Sequence, residues 1–268
     1  MITGAVLAWG VPRLRDLPWR RTRDPWAVLV SEVMLQQTQV GRVAERWPRF
    51  LARFPTPSAC ATASLADVLR EWQGLGYPRR ARNLHAAAAS IVAAGSFPRD
   101  LAGLLALPGV GPYTARAVRA FAFEADAAVV DTNIARVYAR LAGRRLTARE
   151  VQAHADAAVP VGAAWVWNQC LMDLGALVCR PVPACHECPL SPRCGWRGRA
   201  DVPDPAVGSA GVSRPQARFE GSDRQARGRL LKALTTGPLD ASVAARVMQR
   251  DAATAARLTD AIVADSLL

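Results

Sequence analysis

The chain has 268 residues and 51% hydrophobic content, enough for one large or two modest packed domains. A formal net charge of +12 and a pI of about 10.7 favour a polyanionic partner, nucleic acid first among them. The lack of a basic N-terminal start, a cleavage site or a membrane-length apolar run argues against a secretory leader or a membrane span, and six cysteines in a reducing compartment then read as ligands or thiols rather than disulfides.

In chain order, apolar residues recur at helical spacing and alternating β-type runs are scarce. The pattern predicts helices over Ser31 to Phe50, Ser64 to Gln73, Arg80 to Ala94, Asp100 to Ala106 and Tyr113 to Phe123. It continues over Asn133 to Leu141, Ala148 to Ala158 and Trp165 to Leu177. Residues 197–218, rich in Gly, Pro, Ser and Arg, read as a linker. Residues 219–268 read as a small helical C-terminal region, with Asp240 a candidate N-cap for Ala241 to Gln249. The domain expectation is therefore 1–196, a linker over 197–218 and a small region over 219–268.

Two local patterns carry chemistry. Leu107-Pro108-Gly109-Val110-Gly111 joins two predicted helices. Its glycines permit positive φ and close backbone approach, and the amides at the next helix N-terminus suit a phosphate. The competing reading is an ordinary helix–turn–helix corner. Cys179, Cys185, Cys188 and Cys194 follow C-x5-C-x2-C-x5-C within the loop 179–194. Four thiolates so spaced suit a [4Fe–4S] cluster or a tetrahedral zinc, for which His186 is a spare ligand. Arg180, Arg193 and Arg197 flank the loop. Cys60 and Cys170 read as buried small hydrophobes.

Further motifs occur in order over roughly residues 5 to 196. They are Leu17-Pro18-Trp19-Arg20, Ser31-Glu32-Val33-Met34-Leu35-Gln36-Gln37-Thr38, Gly74-Leu75-Gly76-Tyr77, Ala81-Arg82-Asn83-Leu84, Val130-Asp131-Thr132-Asn133 and Met172-Asp173-Leu174-Gly175-Ala176. Together with the hairpin and the cysteines, they resemble adenine DNA glycosylases of the MutY type, within the helix-hairpin-helix iron–sulfur superfamily of endonuclease III. The resemblance implies an all-α, two-lobed helix-hairpin-helix glycosylase fold with a [4Fe–4S] loop and a short helical extension. The first cysteine gap departs from that family, being five residues where six is usual.

Breaking an N-glycosidic bond needs a proton on the leaving base and a stabilised positive charge on the sugar, which two carboxyls in unlike surroundings can supply. The resemblance makes Glu32 the acid that protonates adenine at N7 and Asp131 the ionised group facing the sugar. It sets Tyr113 and Asn133 beside Asp131. It also implies a wedge of Gln37 and Tyr77, an adenine pocket lined by Leu17, Trp19, Arg20 and Gln169, a further substrate contact from Gln36, and DNA contacts from Leu107 to Gly111. The plainer readings are a helix-start carboxylate for Glu32, an N-cap for Asp131, core packing for Trp19 and Tyr77, and surface positions for Arg20 and Gln37. Tyr113 stands where bifunctional relatives carry a Schiff-base lysine, and Lys232, outside the motifs, is the chain's sole lysine.

The function implied is removal of adenine opposite 8-oxoguanine or guanine in base excision repair, without lysine-based strand cleavage. The implied partner is double-stranded DNA holding a mispaired adenine. No membrane partner is expected, the chain is read as a monomer, and its place is the bacterial cytoplasm at the nucleoid. The fifty residues after the linker look too short for the nudix-like 8-oxoguanine domain of many relatives. They leave a DNA-contacting tail and a structural cap both open. The alternatives are a thymine or uracil mismatch glycosylase and a non-catalytic DNA-binding iron–sulfur protein.

Overall fold

The structure is a computed structural model that describes residues 2–212, 218–265 and 267, with Ala241 described in its backbone alone. Residues 213–217 of the expected linker, and residues 266 and 268 of the expected tail, lie outside the described residues. Among the described residues every regular element is helical.

The helices are α1 (Ile2–Gly10), α2 (Pro25–Leu35), α3 (Val40–Arg53), α4 (Pro57–Ala61), α5 (Leu65–Glu71), α6 (Arg79–Ala93) and α7 (Leu101–Leu105). They continue with α8 (Pro112–Phe121), α9 (Thr132–Ala142), α10 (Ala148–Ala158), α11 (Ala164–Leu177), α12 (Asp223–Leu234), α13 (Ala244–Met248) and α14 (Ala252–Ala264). No helix among the described residues is long and apolar enough to cross a membrane.

The chain forms two compact units: residues 1–28, 99–105 and 110–214, and residues 29–98, 106–109 and 215–268. In the first unit, α11 packs on α1, α8 and α9. Its residues Ala164 and Trp167 to Gly175 are buried. Gly175 lets α9 approach, since a Cβ there would sit 2.6 Å from Asn133 Cβ. Asn168 accepts from the Val129 amide at 3.0 Å and donates to the Ala127 carbonyl at 2.9 Å. That pair holds the irregular, mostly buried segment leading into α9.

In the second unit, α6 packs on α4 and α5. Buried Ala81, Leu84, Ala87, Ala88 and Ile91 recur at helical spacing along its inner face. The helix α3 turns Val43, Trp47 and Phe50 inward, with the Phe50 ring edge-on to Trp72 at 5.9 Å. The C-terminal helices form a core of their own around Leu230, Leu231, Met248, Leu258 and Ile262, and Leu69 of the same unit packs against it.

Three expectations change. The helix predicted from Ser31 to Phe50 is two helices, because Gln37 takes a left-handed backbone at φ 56° and interrupts it. The first of the two begins at Pro25, where Asp24 Oδ1 accepts from the Ala27 amide at 2.7 Å. The short helices α1 and α4 were not anticipated. The stretch 199–212, read as linker, is tied down: Asp204 pairs with the buried Arg140 at 2.6 Å. In addition, the Ser209 hydroxyl accepts from the Leu146 amide at 3.0 Å, and Ala206 is buried. In the tail, Asp240 accepts from the Ser242 amide at 2.8 Å, and a short 3-10 turn, Ala241–Val243, precedes α13.

Candidate active site and cysteine loop

Asp131 is the N-cap of α9: its Oδ1 accepts from the Ile134 amide at 2.7 Å. Its Oδ2 accepts from Asn133 Nδ2 at 2.8 Å. Asn133 Oδ1 in turn accepts from Arg136 at 2.8 Å. Arg136 also donates to the carbonyls of Gly175 at 2.7 Å and Cys179 at 2.6 Å. Capping and chemistry are compatible here, because an extended residue at a helix start aims its carboxylate along the helix axis, where amides and the dipole both favour anions. Burial pushes the Asp131 carboxyl above its ordinary 3.8, against the two hydrogen bonds and the Arg136 charge, which favour the ionised form. Tyr113 is half-buried in the first turn of α8.

Glu32 is buried, with 4% of its surface exposed. It stands in the C-terminal half of α2, not at a helix start. The reading of a dipole-favoured helix-start carboxylate therefore fails, because seven helical residues precede it. Ser31 beside it is buried as well.

The side chains read as a pocket have varied surroundings. Leu17 caps a 3-10 turn, Pro18–Arg21, that carries buried Trp19 and Arg20. Arg20 grips Asp173 through both terminal nitrogens, at 2.7 and 2.9 Å. Arg15 Nε reaches the same carboxylate at 2.6 Å. The surface reading of Arg20 is thus excluded: a bidentate pair with a fully enclosed carboxylate holds it inside. Gln169 is buried on α11, and Gln36 is half-buried.

Gln37 and Tyr77 both adopt left-handed backbones, at φ 56° and 49°. Arg80 braces them. Its guanidinium donates to the carbonyls of Val33, Met34 and Gln36 on one side, and to Leu75 and Gly76 on the other. It lies 5.4 Å from the ring centres of Trp72 and Tyr77. Burial lowers its pKa to about 10.

In the hairpin, Leu107 and Val110 are buried, while Gly109 and Gly111 are exposed. Gly109 is left-handed at φ 76°, and a Cβ there would meet Asn83 Cβ at 2.7 Å. Gly111 departs from the positive φ expected of it. It is extended at φ −92°, the geometry of an N-cap, and leads into Pro112 at the start of α8.

Cys179, Cys185, Cys188 and Cys194 all line one cavity, with Arg140 and Trp196 in its wall. Arg140 donates to Cys179 Sγ at 3.4 Å, and the Arg197 amide donates to Cys194 Sγ at 3.3 Å. Burial, with mutual repulsion among the sulfurs, pushes Cys179, Cys185 and Cys188 up. Four thiols lining one cavity, with hydrogen-bond donors to two of the sulfurs, are consistent with a [4Fe–4S] cluster in which each iron takes one thiolate. His186 is exposed beside Glu187 at 3.2 Å. Cys60 and Cys170 are buried, and burial raises their thiols to about 12 and 11.

Arg136, Arg140, Asn168 and Arg80 were not singled out in the sequence. Arg136 and Arg140 had one signal, a pair of arginines four apart, and so stacked on one face, within an otherwise apolar stretch of α9. Arg80 sat in an Arg-rich run, with nothing to separate it from its neighbours.

The profile of HhH-GPD superfamily base excision DNA repair proteins matches residues 30–160. An adenine DNA glycosylase of Mycobacterium tuberculosis is 45% identical over 96% of this chain and 88% of its own length. The solved structure of a thermostable thymine-DNA glycosylase is 30% identical, with a TM-score of 0.68 over 74% of this chain and 95% of its own. An endonuclease III–DNA complex is 27% identical, with a TM-score of 0.64 over 72% of this chain and 92% of its own. With that identity over nearly the whole of both chains, this protein belongs to the adenine DNA glycosylase family of the helix-hairpin-helix superfamily.

Proposed function

We propose that the chain is a monofunctional adenine DNA glycosylase of base excision repair, acting on adenine mispaired with 8-oxoguanine or guanine in duplex DNA. The observation that carries this reading is the 45% identity, almost end to end, to a relative named adenine DNA glycosylase.

Residue roles follow from chemistry. Glu32, enclosed on α2, is the acid that protonates the adenine at N7. Asp131 steadies the positive charge that grows on the sugar as the bond to the base breaks, and its two donors keep its oxygens oriented. Water then adds to the sugar cation and releases a proton that restores the Glu32 carboxyl, leaving an abasic site and free adenine. Tyr113 has no amine with which to form a Schiff base, and the sole lysine, Lys232, lies on α12. The target nucleotide leaves the stack at a cost of roughly a few kcal/mol. Gln37 and Tyr77 offset it by filling the gap, and the adenine is received by Leu17, Trp19 and Gln169. Arg20 supports Trp19 through its lock on Asp173. The amides around Gly109 and Gly111 hold the DNA backbone.

Cys179, Cys185, Cys188 and Cys194 would hold a [4Fe–4S] cluster. Such a cluster would cross-link the loop that carries Arg193 and Arg197, and those arginines are the loop's candidates for phosphate contacts.

The likeness to a thymine-DNA glycosylase structure supports a second reading, release of thymine from G·T pairs. Duplexes holding A opposite 8-oxoguanine, A opposite G, and T or U opposite G separate the two. Alkali-revealed breaks at adenine, abolished by Glu32→Gln, are expected. Breaks only at thymine or uracil, or full activity of the Gln variant, would overturn the adenine assignment.

A further inference from the structure

The C-terminal helices are joined to the segment that carries Tyr77, and the joint is polar and specific. Arg224, in the first turn of α12, donates to the Tyr77 hydroxyl at 3.0 Å. That end of α12 is itself held from within the bundle. Ser222 caps it through the Gln225 amide, Asp223 pairs with Arg257 of α14 at 2.7 Å, and Arg250 donates to the Gly221 carbonyl. Further ties run to the same stretch of chain. Asp265, just beyond α14, pairs with Arg79 at 3.3 Å and with Arg227 at 2.5 Å, while its carbonyl accepts from Arg82. Arg70 reaches the Thr235 carbonyl at 3.2 Å.

A bundle serving only to cover Leu69 needs apolar contact and no hydrogen bond to a phenol. Tyr77, moreover, has a left-handed backbone that only its surroundings sustain. Arg80 supports it from the polypeptide side, and Arg224 fixes the far end of the ring. A ring held at both ends enters a base stack in one orientation, having lost beforehand the rotamer freedom it would otherwise lose on binding.

We propose that the C-terminal bundle is a positioning element for the Tyr77 wedge, acting on duplex DNA through Arg224. The proposal rests on the glycosylase reading for its DNA partner. Arg224 is a positioning residue: it sets Tyr77 and takes no part in the bond cleavage.

The test is base extrusion, read by fluorescence of 2-aminopurine at the target position in a duplex, with the full chain throughout. Arg224→Ala is expected to weaken extrusion about tenfold, the effect of one charge-assisted hydrogen bond, while the melting temperature stays within about 2 °C of the parent. Arg224→Lys restores part of the loss. Tyr77→Phe keeps the ring, removes the acceptor and lowers extrusion comparably. The double variant falls no further than either single one. Parental extrusion by Arg224→Ala, or effects that multiply in the double variant, overturns the proposal. So does a loss that tracks melting temperature alone, since that is the signature of a structural cap. Adenine release by the parent chain from A opposite 8-oxoguanine is scored separately, so failure of the glycosylase reading is distinguishable from failure of the tail's role.

Discussion

Asn133 Nδ2 donates to Asp131 Oδ2 at 2.8 Å while its own Oδ1 accepts from Arg136. The aspartate is thus oriented by a residue that is itself oriented, and Arg136 extends the chain of bonds to the carbonyl of Cys179, the first cysteine of the loop. Removing the donor in Asn133→Ala is expected to slow single-turnover adenine release about 10- to 100-fold, matching the roughly 1.5–3 kcal/mol of a hydrogen bond to a charged group. Asp131→Asn should abolish release with little loss of stability, because asparagine caps a helix about as well as aspartate. Release at the parental rate by Asp131→Asn would remove that carboxylate from the mechanism.

The raised Asp131 carboxyl has a pH signature. Native protein keeps this proton at pH values where the unfolded chain has released it, so the associated stability is present below 3.8 and is lost as pH rises through the folded value. Activity runs the other way, since it needs the ionised form. The acidic limb of single-turnover release is expected above pH 3.8. Asn133→Ala should move the limb higher still, by taking away a donor that favours the carboxylate. A downward shift in that variant contradicts the assignment.

Asp173 is fully enclosed between Arg20 and Arg15, which hold its carboxyl below 3.8 against the cost of burial. Breaking such a pair from one side leaves a buried charge without a partner. Asp173→Asn is therefore expected to cost about 3–5 kcal/mol in urea unfolding. The sign is that of a depressed acid: the contribution is present above 3.8 and is lost as pH falls through the lower folded value. A variant as stable as the parent at pH 7 would refute the lock.

Gly175→Ala places a methyl 2.6 Å from Asn133 Cβ and 2.9 Å from its carbonyl oxygen. Backbone cannot yield as a flexible side-chain tip can, so about 1–3 kcal/mol of destabilisation is expected. A fall in adenine release should accompany it, because Asn133 is the residue displaced. Chemical denaturation and single-turnover rates on the same preparation check both.

For the cysteine loop, metal analysis of protein prepared without oxygen should find iron and inorganic sulfide in equal amounts. Cys185→Ser should lose both. Stoichiometric zinc in their place would favour the tetrahedral alternative.

Much of this was readable along the chain. Apolar periodicity located α5 to α11 within a few residues, because a helix that buries one face must repeat its apolar residues near every 3.6 positions. The cysteine spacing, the Pro-Gly turn and the Asp131 segment are local patterns, and local patterns survive in one dimension. The backbone reversal at Gln37 was not readable, since no glycine or proline announces it; Arg80, more than forty residues on, gathers the carbonyls around it. Arg20 and Asp173 are 153 positions apart, and no composition or period reveals that one will cover the other. The linker-like 199–212 is ordered because Asp204 and Ser209 meet partners on a distant segment. The sequence by itself determined the helical class, the family and the chemistry-bearing residue types. Only tertiary structure decided which charges are paired, which turns are left-handed and what the C-terminal helices hold, because those depend on contacts between residues whose separation in sequence leaves no periodic trace.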